Sequence, residues 1–358
     1  MARIRLRGEE IRHFILANAE KHPSEISKVT SEHFKITRQA VNKHLQRLVR
    51  EKSLAETGHT RNRIYKVATL VEWQRYYPIS QDLAEDVVLT EDIAPVLGQL
   101  PENVLDIWQY AFTEMFNNVV SHSGGSQVRV RIAKTAINTV IVIVDDGVGI
   151  FKNIQTKLNL LDERHAVLEL SKGKLTTDPK HHTGEGIFFT SRMCDNFSII
   201  SDEVHFMHSF GNLEDWVYQM EDDKFHNSTA VVMRLDNHTS RTAKKIFDRF
   251  TSGDDYGFNK TVVPVRLAQY GDDKLISRSQ AKRVLERVDL FKVVIFDFAG
   301  LSAIGQAFAD EIFRVFHQNH PGIELHAIHA SSEVKRMISR AQSVEPTSGE
   351  IGEDHSAS

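Results

Sequence analysis

The sequence predicts an α+β chain of three domains, and three observations predict it. Residues 1–66 hold 15 Lys and Arg against 7 Asp and Glu, a balance of +8 within a 358-residue chain whose net charge is only −4. From Pro101 a long helical pattern gives way to short apolar runs punctuated by glycine, as in mixed helix and sheet. From residue 261 strand-like and helix-like runs alternate to residue 341. The chain then divides into a basic module (1–68), a connector (69–100), a central domain (101–236), a linker helix and loop (237–259), an alternating domain (260–342) and a tail (343–358).

Composition narrows the class. With 41% hydrophobic and 26% charged residues, the chain is an ordinary globular composition and excludes a collagen repeat or a disulfide scaffold. Cys194 is the one cysteine, so no disulfide forms within the chain and a reducing, cytoplasmic compartment is expected. No apolar stretch follows the basic start MARIRLR, so a signal peptide is not expected. The longest strongly apolar run, Val140 to Val144, is too short to cross a bilayer, and no membrane partner is expected. The basic module leaves −12 to the remaining residues, so a polyanionic partner is expected for the N-terminus alone.

The basic module reads as three short helices and a hairpin. Ile11, Phe14, Ile15 and Ala19 recur at helical spacing over 8–22. Ser24 can cap a second helix carrying Ile26 and Val29, and Thr37 a third with Val41, Leu45, Leu48 and Val49 on one face. Two strand-like runs then flank a hairpin tip at Gly58-His59-Thr60. In the central domain a helix is expected from about 102 to 122, then strands at 128–132, 139–144, 197–210, 214–221 and 229–235. Residues 151–183 are polar and too long for a simple loop. The alternating domain takes strands at 261–266, 291–298 and 323–329 and helices at 278–288, 304–319 and 331–341. The acidic tail is expected to be disordered.

Three motifs in the central domain suit a nucleotide. Glu114, Asn118 and His122 share one face of the helix at i, i+4 and i+8. Asp145-Asp146-Gly147-Val148-Gly149 follows an apolar strand, and Thr183-Gly184-Glu185-Gly186 precedes a run that reads as helical. Asn118 offers an amide oxygen to Mg²⁺, which prefers oxygen ligands. Glu114 can orient or deprotonate an attacking water. Asp145 can accept the adenine amino hydrogen, while Gly147 and Gly149 let the backbone pass close to the base. Gly184 and Gly186 let main-chain N–H groups meet phosphate at a helix N-terminus.

In this order the motifs over 100–236 resemble the GHKL family of ATP-binding domains. The resemblance implies a two-layer α/β sandwich with a mobile ATP lid at about 151–183, and ATP and Mg²⁺ as cofactors. It implies that Asn118 binds Mg²⁺, that Asp145, Gly147 and Gly149 form the base pocket, and that Thr183, Gly184 and Gly186 meet phosphate. Thr229 matches the threonine that supports adenine through water. Glu114 resembles the base of the gyrase-like and anti-sigma members. Lys172 and Lys174 lie in the lid and are read either as phosphate ligands or as solvated charges. No His lies between His59 and His122, so the phosphoacceptor helix of a histidine kinase is not expected.

The basic module resembles a winged helix-turn-helix, with Ile36-Thr-Arg-Gln-Ala-Val-Asn-Lys-His-Leu as the recognition-helix segment. Thr37, Arg38, Gln39, Asn42 and Lys43 face away from Val41, Leu45 and Leu48, free for the major groove. Arg61 and Arg63, with His59, would form the wing. Residues 260–341 resemble a STAS-like domain, carried by Val293-Val-Ile-Phe-Asp-Phe, Ala299-Gly-Leu-Ser-Ala-Ile-Gly and the helix from Gln306. Gly305-Gln306-Ala307 departs from the phosphorylatable Ser or Thr of the antagonists, and Ser302 lies in the preceding loop. The expected protein is therefore a cytoplasmic regulator in which ATP binding and hydrolysis control a winged helix on double-stranded DNA. The STAS-like domain would be a surface for a protein partner, and the resemblances imply a homodimer. The alternative is an anti-sigma-type serine/threonine kinase acting on a partner protein or on Ser302.

Overall fold

The first helix, α1 (Ala2–Ala19), turns Ile11, Ile15, Leu16 and Ala19 inward. It packs with α2 (Ile26–Phe34) and α3 (Arg38–Arg50), whose Val41, Leu45 and Leu48 sit one helical turn apart and are fully or almost fully buried. Thr37 starts α3: its hydroxyl accepts the Ala40 N–H at 3.2 Å, satisfying one of the unpaired donors of the first turn. A hairpin of β1 (Leu54–Thr57) and β2 (Ile64–Val67) adds Leu54 and Tyr65 to this core, and Ile137, from the turn at 136–137, completes it.

In this computed structural model the described residues are 2–58, 62–80, 82–176, 183–211, 216–219, 227–251, 257–270 and 273–343. They fall into two compact units, one within 1–163, 176–212 and 216–249, the other within 164–175, 213–215 and 250–358.

The first unit is dominated by a seven-stranded antiparallel sheet. Its strands are β3 (Thr69–Pro78), β4 (Gln127–Thr135), β5 (Asn138–Asp145), β6 (Asn196–Ser201), β7 (Val204–Ser209), β8 (Trp216–Gln219) and β9 (Thr229–Asp236), in the order β3-β4-β5-β9-β6-β7-β8. Burial alternates with period two along β4, β5 and β6, so one face is covered. The short helices α4 (Glu85–Val88) and α5 (Ala94–Leu97) lead to α6 (Glu102–His122), which buries Val104, Ile107, Trp108, Ala111, Phe112, Met115, Phe116 and Val119. Phe112 and Phe116 stack at 5.2 Å, and Tyr77 of β3 meets Phe116 edge-on at 5.8 Å. After β5 come α7 (Ile150–Leu158), α8 (Glu163–Lys172) and α9 (Gly186–Met193), and α9 packs on α6 and β6. The last helix of this unit, α10 (Ala243–Phe250), places Phe247 4.6 Å from Phe189 and 5.2 Å from Tyr110.

The second unit holds a parallel sheet of β10 (Lys260–Pro264), β11 (Val293–Asp297) and β12 (Glu324–Ile328), with β11 in the centre. Between the strands run α11 (Arg278–Leu285) and a long helix that begins as α12 (Gln306–Asp310), widens to a π-type turn over Glu311–Phe316 and ends as α13 (His317–Asn319). The chain then closes the unit with α14 (Ser332–Gln342). Phe296, Phe298, Phe308 and Ile312 are fully buried. Ser277 and Gln280 form a reciprocal capping box on α11.

Four expectations need correction. Residues 69–78 of the supposed connector form β3, the edge strand paired with β4 from Thr69↔Thr135 to Pro78↔Gln127. The strand expected at 197–210 is two strands, turned at Asp202, whose φ is +48°. The linker helix starts at Ala243 rather than 237, because Asn237 is buried and bonds Thr139 and the Thr135 carbonyl instead. The stretch 151–183 holds α7 and α8, and from Arg164 α8 belongs to the second unit. Within it Lys172 is neither a phosphate ligand nor a solvated charge: it is 1% exposed and bonds Glu169. The tail from 344 lies outside the described residues.

Candidate functional site

In the first unit the carboxyl end of β5 meets the amino end of β9, pairing Asp145 with Thr229, while Ser201 at the end of β6 pairs with Thr229 from the other side. Asp145 is 4% exposed, and its Oδ1 accepts the Gly147 N–H at 2.9 Å. Burial pushes this carboxyl up to about 6, against the pull of the backbone N–H donors of Gly147 and Thr229. A buried carboxylate so placed is an acceptor for a donor entering from outside. Thr229 Oγ1 accepts the Ile150 N–H at 3.0 Å, fixing the start of α7 next to the same strand ends.

Two glycines of the Asp-Gly motif are required by close approach. A Cβ at Gly147 would stand 2.2 Å from the Ser123 carbonyl oxygen, and the Val148 N–H bonds that oxygen at 2.9 Å. The end of α6 is thereby held against the loop after β5. Asn153 of α7 adds a bond to the His122 carbonyl at 2.9 Å. Gly149 has φ +83° and lies where a Cβ would stand 2.7 Å from Asp202 and 2.8 Å from Ser201.

Glu114 sits two turns back along α6 from His122, with half-buried Asn118 between them on the same face. Its carboxylate lies against the start of α9: a Cβ on Gly186 would be 2.1 Å from Glu114 Oε2. Burial raises the Glu114 pKa, and the negative charges of Glu185 and Glu85 raise it further. Tyr110, one turn earlier, is raised by burial and then by Glu114 and Glu185. The Glu185 side chain does not cap α9, which starts after Gly184 (φ +72°) and Glu185. Thr183 is exposed.

The structure thus brings Glu114 to Gly186, and Asp145 to Gly147 and Thr229, with α6 joining the two groups. The eight residues from Glu114 to His122 rise about 12 Å. Sequence reasoning missed Ser123, Ser201, Asp202 and Tyr110 and gave Glu185, inside its glycine motif, no role. Tyr110 extends the i, i+4 face of α6 one turn back from Glu114, a spacing that could have found it, whereas Ser123, Ser201 and Asp202 come from other strand ends and turns that no spacing rule reaches. In the basic module Arg38, Gln39, Asn42 and Lys43 are exposed on α3, as is the capping Thr37. Arg63 is engaged with Glu56 at 2.9 Å, while Arg61 and His59 lie outside the described residues. Cys194 is buried, and burial pushes its thiol up to about 12, the state of an inert packing residue.

Residues 280–335 match the family described as a STAS-like domain of unknown function (DUF4325), so the C-terminal region is STAS-like. This span covers α11, β11, the long α12–α13 helix, β12 and the first turn of α14. No curated protein matches the chain, and no solved structure matches it. Among the described residues no helix is long and apolar enough to cross a membrane.

Proposed function

We propose that the chain is an ATP-binding regulator of the GHKL type, whose nucleotide state controls a winged helix on double-stranded DNA. The observation that carries the reading is the junction of two motif groups by one helix. Glu114 lies on the glycine turn of α9 at one point of α6, and Gly147 lies on Ser123 at its end.

The donor set fits ATP with Mg²⁺. Two glutamates near each other, Glu114 and Glu185, leave this end of the site short of positive charge, and Asn118 adds a neutral oxygen of the kind a hard cation accepts. Bound Mg²⁺ would supply neutralisation of the phosphate charge. The rest falls to the chain. Asp145 accepts the hydrogen of the base amino group. Gly147 and Gly149 keep the approach to the base free of side chains. The N–H groups at the start of α9 attract phosphate oxygens. Glu114 takes the proton of the attacking water, and burial tunes it toward neutrality for that work.

On α3, Arg38 and Lys43 suit guanine edges or phosphates, and Gln39 and Asn42 suit adenine. DNA affinity measured at fixed salt with and without a non-hydrolysable ATP analogue tests the coupling; equal affinities sink it. Asn118→Ala should abolish nucleotide binding, while Glu114→Ala should retain binding and lose turnover. If neither substitution changes either quantity, the pocket does not bind ATP as described.

A second reading, phosphotransfer to protein, is favoured by one observation: Ser302 is exposed in the loop that follows β11 of the STAS-like region. Incubation with γ-labelled ATP separates the two. Labelled protein supports the kinase, and free phosphate alone supports hydrolysis.

A further inference from the structure

The strand β3 ends the seven-stranded sheet, with β4 on one side and, among the described residues, no strand on the other. An open edge presents unpaired N–H and C=O groups to any further strand. The register shows which groups these are. The Ile79 N–H meets the Ser126 carbonyl at 2.9 Å, directly beyond the pair Pro78↔Gln127. Residues of an antiparallel pair alternate between bonded and non-bonded, so from Val71 to Ile79 the odd residues turn their N–H and C=O to β4 and the even residues turn theirs outward. Leu70, Glu72, Gln74, Tyr76 and Pro78 are all exposed. Pro78, which has no N–H, thus takes a position where the β3–β4 ladder needs none.

Side chains follow the same alternation. Tyr77 packs on Phe116 of α6, and Val71, Trp73 and Arg75 share its face. On the opposite face Glu72 meets Arg131 at 2.5 Å, and the Gln74 amide meets the Tyr76 hydroxyl at 3.3 Å. Few devices guard this edge. No lysine lies in β3, and its one irregularity of register, between Thr69 and Val71, stands at its start.

Two copies of one edge join antiparallel about a two-fold axis perpendicular to the sheet. That axis keeps each face on its own side, so odd residues oppose odd and even oppose even. An axis at Glu72 or at Arg75 sets like charges directly opposite each other. An axis at Gln74 sets Leu70 against Pro78, which has no donor for the ladder. An axis at Trp73 avoids both. Trp73 then opposes its own copy, Glu72 opposes the Gln74 amide, and Leu70, 46% exposed, opposes Tyr76, 50% exposed. We propose that β3 is a dimerisation edge, which adds the β3 of a second copy of this chain and joins the two sheets edge to edge. The self-matching register is what favours a second copy over an unrelated strand. The interface does not depend on the nucleotide or DNA reading. If the basic module does lie on DNA, the two-fold gives its two copies the symmetry of an inverted repeat.

The test uses the full chain. Sedimentation at rising protein concentration should reach twice the chain mass. Gln74→Pro removes an outward N–H from each copy and should weaken association by about tenfold or more. Should that variant not fold, Tyr76→Lys sets an ammonium on the edge and should act in the same direction. Trp73→Cys brings two thiols together at a non-hydrogen-bonded pair, where Cα atoms lie about 4.5 Å apart, within the span of a disulfide. Mild oxidation should link two chains through it, since the native Cys194 is buried. Gln74→Cys should link far less, because it opposes Glu72. If Trp73→Cys does not fold, Val71→Cys/Arg75→Cys tests the same register. A wild-type chain that keeps a single-chain mass up to its solubility limit overturns the proposal. So does a dimer that neither edge variant weakens, which would lie on another surface. Stronger linking by Gln74→Cys than by Trp73→Cys overturns the register, and with it the case for a second copy.

Discussion

Glu114 and Glu169 are both helix carboxylates withdrawn from water, and they are balanced in opposite ways. Glu169 is fully buried against an ammonium 2.5 Å away and a guanidinium 3.8 Å away. Glu114 is partly buried, and the charges that bear on it, Glu185 and Glu85, are negative. A buried carboxylate with its cation in place is a structural joint, costly to break and chemically quiet. One set beside another carboxylate, at the N-terminus of a helix, is poised to take a proton. Burial and charge type alone do not separate the two; the neighbours do.

The sharpest way to break this contrast is to neutralise each carboxylate. If the site hydrolyses ATP as proposed, Glu114→Gln should lower turnover by about 10²–10⁴-fold, the scale of a lost general base, with nucleotide affinity retained. Glu169→Gln should leave the chemical step unchanged in a single-turnover assay. Equal losses of the chemical step in both would end the distinction.

Removing the partner cation is the next largest effect. Lys172→Met leaves Glu169 buried without its ammonium and should destabilise the second unit by about 3–5 kcal/mol. Urea unfolding measures it. Adding Glu169→Gln to that variant should restore part of the loss, a coupling visible in a double-mutant cycle. Strict additivity would mean that the pair carries no interaction.

Asp145 extends the comparison to pH. Its folded pKa, about 6, lies above the ordinary 3.8, so between about pH 4 and pH 6 the folded state holds a proton that the unfolded chain has lost. Stability of the first unit should therefore rise as pH falls through this window and be lowest above pH 6. The difference across the window should be about 2–3 kcal/mol, since a tenfold change in proton affinity is worth about 1.4 kcal/mol. Asp145→Asn should flatten the profile. Urea midpoints at pH 7 and pH 5 that match in the wild type would refute the assignment.

Local rules reached the parts of the molecule held by local contacts. The spacing of Val41, Leu45 and Leu48 shows which face of α3 is buried, and Thr37 marks its start. The glycine motifs were visible too, yet their reasons were not. Gly186 is glycine because Glu114, 72 positions earlier, lies where a Cβ would be, and Gly147 because the Ser123 carbonyl does. β3 escaped notice since it is an edge strand, exposed along most of its length, and its partner β4 comes from 127–135. α8 misled for an electrostatic reason. Lys172 reads as a phosphate ligand or a solvated charge until α11 and the turn after it supply the Arg283 and Glu286 carbonyls that its ammonium meets.

The smallest expected effect concerns the surface of α3, where neither burial nor pairing constrains Lys43. If this face lies along DNA, Lys43→Ala should weaken binding about equally for all sequences and reduce the slope of log affinity against log salt by about 1. Gln39→Ala should instead leave that slope unchanged and relax preference at one base pair, because a neutral amide releases no counterion. Both effects are read by titrating duplexes at several salt concentrations. An unchanged slope in Lys43→Ala would place the α3 face off the DNA. The +8 of the module would then be a general attraction for polyanions, with no groove in contact with the helix.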